Sequence, residues 1–305
     1  MTNFPIPEMA KPYLEYDMIQ NHTELPAFPE FRARLLYACL QASGSGSGEA
    51  PGDEFRLPAV GGMRRGMDEL YTLVTSLVQM GLDIHDMVPE SSDRKEKRAA
   101  RARQLKVLAG DYFSAKFYHL LAQAGQIETI RHLSAAICEA NRLKVNLYML
   151  MKQWKLTAEE YVHQTVNIRM QLFLPFRSKM QGVVSGLWPD VLHSFTRCEV
   201  LAQEMRRLES PQSLRGSWAY WHLWQEASKE ERKQLAAEEP DPLKIRSLLH
   251  KYNAGGHLFH LLEAQVQHVW SCVKQLDSDK LMQEITQLVE TFAAPLRKMK
   301  VLEER

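Results

Sequence analysis

Apolar residues recur at helical spacing wherever the chain is not punctuated by glycine, proline or a polar cluster. Residues 28–40 form the first good segment. Residues 67–86 carry Leu70, Leu73, Val74, Leu77, Val78 and Leu82 three or four apart, which places them on one helix face. Residues 97–122, 127–153, 157–181 and 189–208 continue the pattern, and the period-two alternation of strands is missing. Toward the end, Leu258, Leu261, Leu262, Val266, Val269 and Val273 stripe one segment, and Leu281, Ile285, Leu288, Val289 and Phe292 stripe the last. Start signals agree with these segments. Thr157 with Glu160 and Ser228 with Glu231 have capping-box spacing, and Asp241-Pro242 supplies a cap and then proline at the first position of a helix toward Lys251. Residues 42–52, rich in Gly and Ser, read as a flexible connection. The pattern predicts an all-α fold: a single helical domain over residues 1–305 with a flexible loop at about 42–66.

Composition narrows the class. With 305 residues, 45% hydrophobic content and a net charge of +1, the chain can bury a large core. Near neutrality removes general nucleic-acid binding, which needs a marked positive excess. Cys39, Cys138, Cys198 and Cys272 are far apart, with no Cys-x-x-Cys pair, and read as reduced thiols of a cytosolic protein. The N-terminus has acids and prolines rather than an apolar signal core, and no run approaches the roughly 20 apolar residues of a membrane span. The expected location is the cytoplasm, with peripheral membrane contact left open.

The densest chemistry lies in residues 77–150. Leu82-Asp83-Ile84-His85-Asp86-Met87-Val88-Pro89-Glu90 is followed by a basic run and then by Val107-Leu108-Ala109-Gly110-Asp111-Tyr112-Phe113-Ser114-Ala115. Asp86 and Glu90 are four apart, so on an unbroken helix their carboxylates would share a face. Pro89 opposes that arrangement. Its ring clashes with the carbonyl of His85 and drives Val88 from the α region, so the helix should end or kink inside the motif. In residues 191–208, Glu199 and Glu204 stand isolated among Arg197, Arg206 and Arg207.

In order and spacing these segments resemble the chain-elongating trans-prenyl diphosphate synthases, where a His-Asp-Asp-x-x-Asp helix, an Arg-rich turn and a Gly-Asp-Tyr-Leu-x-Ala helix follow one another. Ile137-Cys138-Glu139-Ala140 sits where that family has a Gly-Glu pair. Arg169-Met170-Gln171-Leu172-Phe173 sits where catalytic members have a Lys-Thr-Ala triplet. The ordered set most resembles the small, component 1 subunits of two-component heptaprenyl diphosphate synthases, best from Leu77 to about Phe173, more loosely near the C-terminus and not before Met67.

The resemblance implies a degenerate isoprenoid-synthase-like bundle. In the family, two aspartate-rich segments hold magnesium against the allylic diphosphate, and magnesium needs several hard oxygen ligands. Here the first segment keeps Asp86, has methionine at its second acid and Glu90 at its last, while the second has no acidic pair. No residue of this chain is therefore expected to be catalytic or to hold metal, and no cofactor of its own is expected. Magnesium, farnesyl diphosphate and isopentenyl diphosphate would belong to a catalytic component 2, with which this chain would form a heterodimer making the heptaprenyl precursor of the menaquinone side chain and setting its length. Arg94 and Arg98 are implied as diphosphate contacts. Phe113, Phe117, Tyr118 and Tyr148 are implied as prenyl-channel wall or partner interface, on the helices through which catalytic members pair.

Each feature also has an ordinary structural reading. The basic run Arg94, Lys95, Lys97, Arg98, Arg101, Arg103 and Lys106 is interleaved with alanine and glutamate like a solvated helix face. Trp218, Tyr220, Trp221 and Trp224 fit a lipid groove, a membrane interface or core packing. His257 and His260 have no third ligand at a telling spacing. Two rival functions stand beside the main one: a slow stand-alone prenyltransferase or terpene synthase using Asp86 and Glu90, and a helical adaptor without lipid substrate.

Overall fold

The helices stop where local chemistry stops them. The computed structural model describes residues 4–15, 24–44, 54–56, 64–88, 97–210, 214–237 and 241–303. In chain order these contain α1 (Ile6–Leu14), α2 (Glu30–Ala42), β1 (Glu54–Arg56), β2 (Arg64–Gly66), α3 (Met67–Asp86), α4 (Lys97–Gln123), α5 (Ile127–Lys152), α6 (Ala158–Met170), a 3-10 turn (Leu174–Lys179), α7 (Gly182–Arg207), α8 (Trp218–Glu226), α9 (Lys229–Leu235), α10 (Pro242–Lys251), α11 (Ala254–Val273) and α12 (Asp279–Glu303). The fold is all-α. Both capping boxes form, and the Asp241 carboxylate accepts from the Leu243 N–H at 2.9 Å to start α10.

Three features depart from the periodicity reading. The helix expected over 157–181 ends at Met170 and gives way to the 3-10 turn, where Pro175 stands at the second position and has no N–H to offer the Gln171 carbonyl for a continued α-helix. The helix expected to start at Pro189 starts at Gly182 and runs through the proline. Pro189 leaves the Ser185 carbonyl without its helical donor, and the Arg177 Nε donates to that carbonyl at 3.1 Å instead. Within the 42–66 stretch read as a loop, β1 and β2 pair antiparallel with Phe55 opposite Arg65. Residues 45–53 and 57–63 of that stretch lie outside the described residues.

The chain divides into two compact units. The first comprises residues 1–136 and 172–186, and the second residues 137–171 and 187–305. In the first, α3 is buried nearly all round and packs against α1, α2 and α4. Its buried hydroxyls are satisfied within the helix: Thr72, Thr75 and Ser76 donate to the carbonyls four residues back at 2.7–2.8 Å. Helices α3 and α4 meet through glycine. A Cβ on Gly81 would lie 2.9 Å from Ser114 Oγ and 3.0 Å from the Gly110 carbonyl oxygen, so the backbones approach closely here. Gly81→Val should therefore destabilise the fold by about 1–3 kcal/mol, seen as a lower midpoint in thermal or urea unfolding. An unchanged midpoint would mean that the two helices separate freely. In the second unit, α8 packs against α6, α9, α10 and α11, and α11 against α12.

Candidate functional site

The acidic end of α3 is held in place from beneath. Arg32, buried in α2, lies with its guanidinium over the Phe173 ring at 5.2 Å and donates to Gln79 Oε1 at 3.0 Å. Gln79 in turn donates to Asp83 Oδ1 at 2.7 Å. One turn on, the His85 imidazole rests on Gly110, where a Cβ would fall 2.5 Å from Nε2, and that nitrogen is 3.5 Å from Asp111 Oδ1. Gly110 thus makes room for the histidine, and the residue after it offers the carboxylate.

Helix α3 ends at Asp86, and Lys106 Nζ donates to the Met87 carbonyl at 3.2 Å, satisfying an acceptor that the helix end exposes. The helix thus stops before the proline. Asp86 is exposed on the final turn, and Pro89, Glu90, Arg94 and Lys95 lie outside the described residues. Arg98 falls in the first turn of α4. The helix does not continue to carry Asp86 and a later acid on one face.

The second acidic segment lies on α7, and its carboxylates are engaged by the chain itself. Glu204 is buried and accepts three hydrogen bonds: Tyr161 Oη at 3.0 Å, Arg207 Nη1 at 3.0 Å and the Trp218 N–H at 2.8 Å. Burial first, then the Glu204 anion, pushes the Tyr161 hydroxyl up to about 12. Glu199 lies 4.0 Å from Arg169 Nη1, whose other terminal nitrogen donates to Gln203 Oε1 at 2.6 Å. Arg197 reaches out to Glu159 at 2.8 Å. A magnesium arm needs carboxylate oxygens turned to a common centre with lone pairs to spare. Glu204 spends its oxygens on α6, on α7 and on the start of α8, so this donor set does not fit the metal. Among the described residues, no group of three or more His, Cys, Asp or Glu side chains is placed to hold an ion.

The large side chains picked from the sequence separate by helix face. Phe113 and Phe117 are buried among core residues, whereas Tyr118 is 58% and Tyr148 39% exposed. The exposed residues of α4 include Gln104, Val107, Leu108, Asp111, Ala115, Tyr118 and Ala122, a stripe at three- and four-residue spacing. On α5 the exposed residues include Cys138, Asn141, Val145, Tyr148 and Met149 at the same spacing. Trp218, Tyr220 and Trp221 are core residues, and Trp224 is half-buried. His257 and His260 are exposed. His257 stands against the His222 ring at 4.9 Å, and His260 is 3.9 Å from Glu263.

Two groups escaped the sequence reading. The Arg32–Gln79–Asp83 chain and the Glu204 cluster join residues 43–47 positions apart, which no periodicity reveals. Trp154 also escaped, although the segment 127–153 lacks a following glycine to end it, and that absence was readable.

Known proteins agree with this architecture. The family model described as heptaprenyl diphosphate synthase (HEPPP synthase) subunit 1 matches residues 63–250, so the likeness starts slightly before Met67 and runs well past Phe173. A curated relative, heptaprenyl diphosphate synthase component 1 of Geobacillus stearothermophilus, is 43% identical over 80 residues; the match spans 26% of this chain and about a third, 34%, of the relative. Among solved structures, geranylgeranyl pyrophosphate synthase from Lactobacillus brevis has a TM-score of 0.69 at 13% identity, covering 96% of this chain and 90% of that one. Heptaprenyl diphosphate synthase from Staphylococcus aureus has a TM-score of 0.65 at 9% identity, covering 96% and 99%. At such identities the structures carry the fold alone, which is that of the prenyl synthases. Together with the resemblance in residues 77–173, the family match gives the conclusion that the chain belongs to the heptaprenyl diphosphate synthase subunit 1 family.

Proposed function

We propose that this chain is the auxiliary subunit of a heptaprenyl, or more broadly polyprenyl, diphosphate synthase: a prenyl-synthase scaffold that does not itself ionise the allylic diphosphate. The observation that carries this reading is the engagement of the α7 carboxylates. Glu204 is locked by Tyr161, Arg207 and Trp218, and Glu199 faces Arg169, so the helix that should supply the second metal arm supplies internal salt bridges. The end of α3 at Asp86 points the same way for the first arm.

The chemistry then falls to a catalytic component 2 that binds magnesium, farnesyl diphosphate and isopentenyl diphosphate. The heterodimer makes the heptaprenyl chain destined for menaquinone, in the cytoplasm. The apolar stripe of α4 in the first unit and that of α5 in the second are each offered to that partner, since a protein of this size seldom leaves so many large apolar residues uncovered on its helices. With Phe113 and Phe117 turned into the core, the chain affects product length by shaping the wall against which component 2 folds.

Activity tests the reading directly. The purified chain with magnesium, farnesyl diphosphate and isopentenyl diphosphate should yield no elongated product, and addition of component 2 should give synthesis that survives Asp86→Asn in this chain. Product from the lone chain, abolished by Asp86→Asn, would make it a prenyltransferase in its own right and overturn the proposal.

A further inference from the structure

Helix α5 ends in a way that displays a tryptophan. The Trp154 N–H donates to the Met151 carbonyl at 3.2 Å and the Lys155 N–H to the Leu150 carbonyl at 3.2 Å, the paired bonds of a Schellman motif with Trp154 at its left-handed position, φ 57°. The same motif ends α4, where Gln126 N–H donates to the Leu121 carbonyl at 2.8 Å, and there the left-handed residue is Gly125, φ 68°. Glycine takes this conformation without steric cost and tryptophan does not. A strained residue of this kind persists where the surroundings hold it, and it points to a use.

The surroundings are aromatic beneath and cationic around. The Trp154 ring lies on Trp224 with centroids 4.2 Å apart and meets the edge of buried Trp221 at 6.2 Å, yet remains 41% exposed. Lys152 and Lys155, both exposed, flank it in the chain. The Arg232 guanidinium lies 5.8 Å from the Trp224 ring. Gly216 brings the exposed Arg215 to the same helix end, since a Cβ on that glycine would touch Met151 Cε at 3.0 Å. The two segments that converge here, residues 143–158 and 214–225, contain Lys144, Lys152, Lys155 and Arg215 and not one Asp or Glu. The nearest acids in sequence follow them, at Glu159 and Glu226, and Glu159 is paired with Arg197.

We propose that Trp154 and Trp224, with the exposed Lys152, Lys155 and Arg215 beside them, form a docking patch for an anionic lipid bilayer surface. Tryptophan suits the headgroup layer, having an apolar body with one polar edge, and lysine and arginine extend toward lipid phosphates while their stems lie on the apolar boundary. The two segments, which carry Lys144, Lys152, Lys155 and Arg215 and no Asp or Glu of their own, supply the charge complementarity. This inference does not depend on the identity of the catalytic partner.

Co-sedimentation of the full-length chain with phospholipid vesicles tests it. The protein should pellet with vesicles of phosphatidylcholine containing phosphatidylglycerol, pellet far less with phosphatidylcholine alone, and be released by salt. Lys152→Gln and Lys155→Gln should each weaken binding about five-fold. Trp154→Gly should weaken it at least as much while keeping the fold, because glycine is the residue the motif ordinarily takes. Leu243→Ala, which removes an exposed apolar residue of α10 with no part in the patch, should leave binding unchanged. Failure of the unaltered chain to bind anionic vesicles, or equal binding by Trp154→Gly, overturns the proposal. If Trp154→Gly spares vesicle binding but weakens the complex with component 2, the patch is a protein interface and the lipid assignment is wrong.

Discussion

Glu204→Ala should lower the unfolding free energy by about 3–5 kcal/mol, the range for breaking a buried ion pair by removing one partner. The cause is what remains behind. Removing the carboxylate leaves the Tyr161 O–H and the Trp218 N–H, both deep in the second unit, without their acceptor, and each keeps its desolvation cost; Arg207 loses its buried counter-charge and keeps its bonds to Tyr161 Oη and the Arg215 carbonyl. The melting midpoint should fall by on the order of 10 °C. Glu204→Gln should lie between, because the amide oxygen still accepts while its NH2 group faces donors. A further signature comes from pH. Tyr161 titrates near 12 in the folded chain against an ordinary 10, so the folded state holds its proton longer. Stability from this group is complete below about pH 10 and declines as pH rises toward 12. Tyr161→Phe should flatten that decline. An alkaline profile identical in Tyr161→Phe, together with an unchanged midpoint in Glu204→Ala, would mean that the cluster contributes nothing to the fold and that the α7 carboxylates are available for other chemistry.

How much of this was legible in the sequence depends on the range of the interaction concerned. The helices were legible because their signals are local: the period of Leu70, Leu73, Val74 and Leu77, the boxes at Thr157 and Ser228, and the Asp241-Pro242 start all act within four residues. The end of α3 at Asp86 was legible for the same reason, since Pro89 acts on its immediate neighbours. Pro189 misled because a proline inside a helix and a proline at its start look alike in sequence. The difference is made by Arg177, twelve residues earlier, which satisfies the carbonyl that the proline leaves. The thinning of the acids was legible, being a property of composition at fixed spacing. Their fate was not, because the Glu204 partners come from α6 and α8 and are brought together by tertiary packing.

The faces of α4 show the same limit in a form that could have been overcome. Phe113, Phe117, Leu120 and Leu121 follow the i, i+4, i+7, i+8 pattern and are all buried, while Tyr118 is one step of about 100° from Phe117 and faces solvent. Grouping the aromatics by type hid that separation. It matters for any test of assembly, because a charge placed at Phe117 enters the core of the first unit, whereas a charge at Tyr118 enters only what covers the surface.

Tyr118→Asp and Tyr148→Asp should consequently weaken association with component 2 while leaving the chain folded. Each residue stands within an exposed apolar stripe, Tyr118 with Val107, Leu108 and Ala115 on α4, and Tyr148 with Val145 and Met149 on α5. In the free chain a new carboxylate at either position remains hydrated and costs little. In the complex it must be desolvated in an apolar contact without a designed partner, and aromatic residues at interface centres carry a disproportionate share of binding. The expected loss is about 2–4 kcal/mol for each substitution, roughly 30- to 1000-fold in Kd. Gel filtration of the mixed subunits measures it, with circular dichroism reporting the helix content of each variant alone. Synthesis by the mixture should fall in parallel and be recovered by raising the concentration of either subunit, because a weakened interface is restored by mass action and a damaged catalytic centre is not. Unaltered co-elution of both folded variants with component 2 would place the partner surface away from α4 and α5.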